Sequence, residues 1–212
     1  MYQLTKLALP TKSSLTNRQN TLWSTIRATP MIFLMIVIFA TIINTNTVNV
    51  GLLLTVLLNK IANPLFKLAV VQLYKMLGKY PNGEIPILGR GSRPSGASNT
   101  GLFITYPPST DTTWGMPSGH SQIAWMVATY LALYWTKMSK PTPGNIAKTV
   151  FVFAFAILIS FSRVFIDKVH TYQQVIVGGI LGVIIGTIGI FITKKIHDTY
   201  YAKHKYEDLY LF

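Results

Sequence analysis

The sequence predicts an all-α integral membrane protein, a helix bundle of about five transmembrane helices with its active site in loops at one membrane face. Three observations carry this reading. Half of the 212 residues are hydrophobic and only 12% are charged, about half the charged fraction of an average soluble domain. The apolar residues form long, nearly uncharged segments with charges at their flanks, the pattern of membrane helices. Prolines and glycines concentrate between those segments: residues 78–118 hold six of the eleven prolines and seven of the fifteen glycines, which marks an ordered loop rather than a span.

The elements follow in order. Residues 1–27 are a basic, polar N-terminal segment carrying Lys6, Lys12, Arg18 and Arg27. The first apolar run, 28–43, is slightly short for a straight span and can extend into the following "NTNT". The second, from about Val48 to Leu77, carries Asn59, Lys60, Asn63, Pro64 and Lys67. It reads as one long helix with its C-terminal part inside the protein, since polar groups facing lipid are costly. After the 78–118 loop come apolar segments at about 119–136, 147–161 and 173–193. The membrane-embedded domain therefore occupies 28–196, and 197–212 is a polar aromatic tail suited to a membrane interface. Two helices separate the 78–118 loop from a second polar loop, "SRVFIDKVHTYQQ" at 162–174, so both loops open on the same side.

Composition excludes several chemistries. There is no cysteine, which removes disulfides, thiolate catalysis and Cys-based zinc sites. Of six acidic residues, only Glu84, Asp111, Asp167 and Asp198 precede the last few positions, so a carboxylate pair or carboxylate-rich metal site has little material. The net charge of +13 suits an anionic partner. The basic residues flank apolar segments instead of forming one dense run, which disfavours nucleic acid and favours anionic lipid or a phosphorylated substrate.

Three polar patterns carry the chemistry. In "WGMPSGHSQ", Pro117 and Ser118 place a helix start near Gly119. Free backbone N–H groups and the helix dipole there suit a phosphate, Ser118 is a good N-cap, Gly119 admits a ligand close to the backbone, and His120 lies in the first turn. In "SRVFIDKVHTYQQ", Arg163 offers a bidentate grip on phosphate oxygens, and His170 and Gln174 are four residues apart. Gln174 can accept from one ring nitrogen of His170 and leave the other nitrogen's lone pair free, as a nucleophile requires. In "GRGSRPSGAS", Arg90 and Arg93 sit among glycines and serines, as in a phosphate-binding loop. Each pattern alone has a plainer alternative: a loop–helix junction with a surface histidine, snorkelling of Arg163 and Lys168 beside a wet His170, or a basic membrane-surface loop.

Together, in the order R-P, P-S-G-H, S-R…H, they resemble the type 2 phosphatidic acid phosphatase superfamily over roughly residues 55–187. Arg93-Pro94, Pro117-Ser118-Gly119-His120, Ser162-Arg163 and His170 carry the resemblance. There are three departures. Pro86 stands where the family has a lysine seven residues before Arg93, so Lys67 is the candidate, with Lys75, Lys79 and Arg90 as rivals. Six residues, not five, separate Arg163 from His170. Gln174 replaces the family aspartate. The strings "GMPSGHSQ" and "HTYQQ" are similar to the dolichyl-diphosphatase-like subgroup.

The resemblance implies a metal-independent hydrolase without cofactor, acting on a polyprenyl (dolichyl-type) diphosphate through a phosphohistidine. It implies His170 as nucleophile, His120 as general acid and base, and Gln174 as orienter. Lys67, Arg93, Arg163, Ser118 and the N–H of Gly119 would hold the phosphoryl oxygens, with Arg90 as a second grip. A phosphatidate or other glycerolipid phosphatase and a non-catalytic lipid-phosphate-binding protein are the alternatives. The membrane would be the endoplasmic reticulum or the plasma membrane.

Overall fold

The computed structural model describes the backbone of residues 12–95, 97–100, 105–108 and 114–204, with side chains over 23–95, 97 and 114–200. Residues 1–11 and 205–212, assigned above to the basic segment and the polar tail, lie outside the described residues. Five helices follow one another: α1 (Lys12–Ile43), α2 (Thr47–Met76), α3 (Gly119–Leu133), α4 (Pro143–Phe161) and α5 (Tyr172–His204). π-helical turns at Tyr134–Met138 and Ser162–Ile166 continue α3 and α4. The 78–118 loop carries two short antiparallel hairpins, β1 (Glu84–Ile85) with β2 (Gly89–Arg90), and β3 (Ser98–Thr100) with β4 (Thr105–Pro108).

Three expected boundaries are corrected. α1 begins at Lys12, well before residue 28, because a nucleated helix propagates cheaply into a polar flank. It does not extend through "NTNT". Asn46 caps α2 by accepting from the Asn49 N–H at 2.8 Å, and Asn49 Nδ2 donates to the carbonyls of Asn44 (2.8 Å) and Ala40 (3.2 Å). Two asparagines thus satisfy the backbone groups that a tight helix hairpin orphans. α5 passes residue 196 and runs to His204, with Lys194 and Asp198 paired one turn apart.

Four helical stretches are long and apolar enough to cross a membrane: Trp23–Ile43, Thr47–Met76, Pro143–Ile166 and Tyr172–Tyr200. The fifth expected span, α3, is shorter and reaches about 30 Å only with its π-helical turn. It is the central helix, packed against each of the other four, and most of its residues are buried, polar Ser121, Gln122 and Thr129 included. The outer helices point Ile43, Leu58, Ile61, Phe151 and Phe191 outward, as lipid-facing surfaces do.

Within a bilayer, apolar surface gives helices no reason to prefer one another over lipid, so close packing and buried hydrogen bonds decide the arrangement. α5 supplies the close packing. A Cβ on Gly178, Gly182 or Gly186 would run into the backbone of Ser118, Gln122 or Met126. This four-residue glycine stripe lets α5 lie directly on α3. Tyr130 adds a buried clamp: its hydroxyl lies 3.0 Å from the Val48 carbonyl and 2.9 Å from the Thr193 hydroxyl, tying α3 to α2 and α5. The P-S-G-H segment and the start of α5 are thereby held side by side.

Candidate active site

The His170 loop is built from the end of α4. Its π-helical turn holds Arg163, 2% exposed, against the bundle. The chain then reverses through Lys168, whose φ of 52° lies in the left-handed region. This turn accommodates the extra residue between Arg163 and His170: the N–H groups of Val169 (3.1 Å) and His170 (3.3 Å) both donate to the Arg163 carbonyl. α5 starts at Tyr172, so His170 stands before the helix and not on one of its faces. Gln174, in the first turn, reaches back to it, and its Oε1 lies 3.0 Å from His170 Nδ1.

The other end of that amide fixes its direction. Gln174 Nε2 donates to the carbonyls of Ser92 (2.7 Å) and Arg90 (2.9 Å). Oε1 must then face the imidazole and accept, so Nδ1 carries the proton and Nε2 keeps the lone pair. Burial, followed by the charge of Arg163, holds His170 well below the ordinary histidine pKa. The ring is neutral and directed, as a nitrogen nucleophile must be.

Ser118 occupies the N-cap position of α3, yet its side chain does not cap. That corrects the sequence reading. Its N–H donates to the Gln174 carbonyl at 3.0 Å, while its Oγ is buried with no hydrogen-bond partner. An unsatisfied buried hydroxyl calls for a ligand or water. The space beside Gly119 is also used differently from the expectation: Asn63 Oδ1 fills it, 3.2 Å from where a Cβ would stand. Gly119 admits α2, and the first-turn N–H groups of α3 remain available to an anion because no helical carbonyl precedes them. His120 Nε2 lies 2.9 Å from the backbone carbonyl of Arg27 on α1.

The cation-bearing loop is pinned to the same place. The N–H groups of Gly115 (2.9 Å) and Met116 (3.1 Å) donate to the Gly91 carbonyl, and Ser92 bridges to Trp114. Trp114 stacks on Tyr80 and meets Tyr74 edge-on, and the Tyr74 hydroxyl donates to the Gly89 carbonyl at 2.7 Å. Arg90 and Arg93 each bury an Nε without a partner, and burial pushes Arg93 below the ordinary guanidinium pKa.

Lys67 reaches this cluster through α2. A buried amide ladder, Asn63 Nδ2 to Gln122 Oε1 (2.8 Å) and Gln122 Nε2 to Asn59 Oδ1 (2.9 Å), docks α2 on α3. Lys67 lies one turn beyond Asn63, where its charge acts on Arg93 and His120. Its rival Lys75 sits instead over the Tyr80 ring, 5.2 Å from the centroid. The two histidines interact electrostatically, and Arg93 and Arg163 act on both.

Sequence reasoning missed two residues. Asp167 is buried, with Oδ2 2.7 Å from an amino group of Arg163 and Oδ1 2.6 Å from Nε of Arg27. Its four-residue spacing from Arg163 was a usable signal. Arg27 gave none, because its contacts are all distant in sequence.

A helix bundle that gathers R-P, P-S-G-H and S-R…H around buried cations defines a class of helical membrane proteins with a cationic, two-histidine site. The chain belongs to the PAP2 superfamily, whose family model matches residues 29–198, more than the stretch that carries the motifs. It is similar to Dolichyldiphosphatase 1 of Homo sapiens and of Mus musculus. Identity with the human protein is 29% over 112 residues, covering 49% of this chain and 43% of the relative. With Dolichyldiphosphatase 1 of Rhinolophus ferrumequinum it is 28% over 97 residues, or 42% of this chain and 40% of the relative. The matches therefore span less than half the length of these curated relatives. No solved structure matches significantly.

Proposed function

We propose that the chain is a metal-independent membrane phosphatase that cleaves the terminal phosphate from a polyprenyl diphosphate. The observation that carries this is the Gln174 amide, which leaves Nε2 of His170 with its lone pair, under the charges of Arg163 and Arg93. In the first step, Nε2 attacks the terminal phosphorus. The bond from phosphorus to the bridging oxygen breaks, and His120 relays the proton of the monoprotonated diphosphate to the departing lipid monophosphate. Water then attacks the phosphorus of the phosphohistidine and gives a proton to His120. The P–N bond breaks and inorganic phosphate leaves with that proton. Lys67, Arg93, Arg163, Ser118 Oγ and the α3 N–H groups hold the phosphoryl oxygens, so positioning and charge stabilisation supply the catalysis. Metal independence rests on the acid-poor composition and on Asp167, whose two oxygens are already taken by arginines.

A lipid substrate is supported by an apolar groove of about 550 Å³ that runs along α4 and α5, lined by Phe161, Val164, Phe165, Tyr172 and Ile176. The diphosphate preference rests on the count of cations and on the relatives' printed name. The test is phosphate release by the purified protein in EDTA, from a C15 or longer prenyl diphosphate and from phosphatidate in mixed micelles. Faster turnover of the diphosphate is expected. Clear preference for phosphatidate refutes the substrate, and binding without release from either refutes the enzyme.

A further inference from the structure

Arg27 touches both halves of the site by different atoms. Its backbone carbonyl lies 2.9 Å from His120 Nε2. Its side chain, about a quarter exposed, pairs through Nε with Asp167 Oδ1 at 2.6 Å, while Asp167 Oδ2 holds Arg163 at 2.7 Å. Arg27 belongs to α1 and precedes residue 29, where the family match begins. The same helix turn contains Pro30. Proline lacks the N–H that would bind the Ile26 carbonyl, and its ring crowds that carbonyl, so the helix is loosened next to Arg27.

We propose that Arg27 is a positioning residue for phosphoryl transfer: its carbonyl fixes the tautomer of His120, and its guanidinium, through Asp167, fixes Arg163. This rests on the phosphatase reading above. A carbonyl oxygen only accepts, so Nε2 of His120 carries a proton throughout the cycle. Nδ1 then holds a lone pair in the resting enzyme: it takes the proton of a monoprotonated diphosphate and passes it to the leaving oxygen as the P–O bond breaks, and it later takes a proton from the attacking water and hands it to the departing inorganic phosphate. The side chain works on charge geometry. By occupying Oδ1, Arg27 stops Asp167 from closing both oxygens onto Arg163 as a bidentate pair, so Arg163 is held through one amino group.

Two experiments test this. In the wild-type protein with ¹⁵N-labelled histidine, His120, identified by its loss in His120→Ala, should show a protonated Nε2 and an unprotonated Nδ1 near neutral pH. The opposite tautomer overturns the carbonyl assignment whether or not the protein is a phosphatase. In steady-state kinetics on a prenyl diphosphate, Arg27→Met should lower kcat about tenfold or more, Arg27→Lys should recover most of that loss, and Asp167→Asn combined with Arg27→Met should cost little beyond either alone. Wild-type kcat in Arg27→Met, or fully additive losses, overturns the positioning role. If Arg27→Met does not fold, the comparison uses Arg27→Gln, and equal activity in the Lys and Gln variants is the overturning result. An inactive wild type refutes the phosphatase reading instead.

Discussion

His170 Nδ1 lies 3.0 Å from Gln174 Oε1, and the nitrogen of the same amide lies on the carbonyl oxygens of Arg90 and Ser92. Residue 174 must therefore accept from the imidazole and donate to backbone carbonyls at once. A carboxylate accepts only. Gln174→Glu, the isosteric change, should lose about tenfold or more in kcat/KM, and Gln174→Asp should fail similarly, because each would set an anion against two carbonyl dipoles. The family's usual aspartate would lack the donor that the carbonyls of this loop engage. Steady-state kinetics decide it, and activity in Gln174→Glu equal to wild type would remove the amide's directing role.

His170→Ala should abolish turnover and phosphoenzyme formation together, since the proposed mechanism has its Nε2 attack phosphorus. His120→Ala should lower turnover by about 10²–10⁴, the usual contribution of a general acid–base group. Trapping with ³²P-labelled lipid diphosphate checks both. Label retained in His170→Ala would move the nucleophile elsewhere.

The depressed pKa of His170 has a signed consequence. The unfolded chain takes up a proton there near pH 6.5, and the folded protein only well below that. This histidine's linkage to stability is fully favourable above about pH 6.5 and is lost as pH falls below it. The ring also stays a neutral nucleophile into the acidic range. Phosphoenzyme burst amplitude should be the same at pH 5.5 as at pH 7.5, and a midpoint near 6.5 would show an ordinary histidine.

Arg90 reaches the site through its backbone carbonyl, which accepts from Gln174 Nε2, while its Nε is buried without a partner. Arg90→Ala keeps the carbonyl and deletes only the guanidinium. It should reduce diphosphate turnover more than turnover of the corresponding monophosphate, because only the diphosphate has a retained phosphate to hold. Equal losses would show that Arg90 does not read the second phosphate.

Gly182→Ala should destabilise the protein by about 1–3 kcal/mol. The added Cβ would meet the Gln122 carbonyl and separate α5 from α3. Thermal unfolding in detergent measures this, and an unchanged midpoint would mean that the two helices do not need the glycine stripe.

The motifs were legible because they are local. Pro117-Ser118-Gly119-His120 marks a helix start by its own backbone preferences, and the apolar runs mark α2, α4 and α5 by length. The central position of α3 was not legible, since hydropathy measures a segment and not its neighbours. Lys67 could be nominated only by resemblance. Its placement depends on the Asn59–Gln122–Asn63 ladder, whose members lie on two helices.

The sequence by itself determined the class of chemistry: a cysteine-free, acid-poor, strongly basic membrane chain with two histidines and several arginines in loops on one side. The tertiary structure decided which atoms act. A hydrogen bond's direction depends on every partner of the group, and the partners here come from far along the chain. Gln174 is oriented by carbonyls of residues 90 and 92, and His120 by the carbonyl of residue 27. Ser118 gives its N–H to the Gln174 carbonyl of α5, and its buried hydroxyl has no partner. None of these contacts is between sequence neighbours, so no local pattern encodes them.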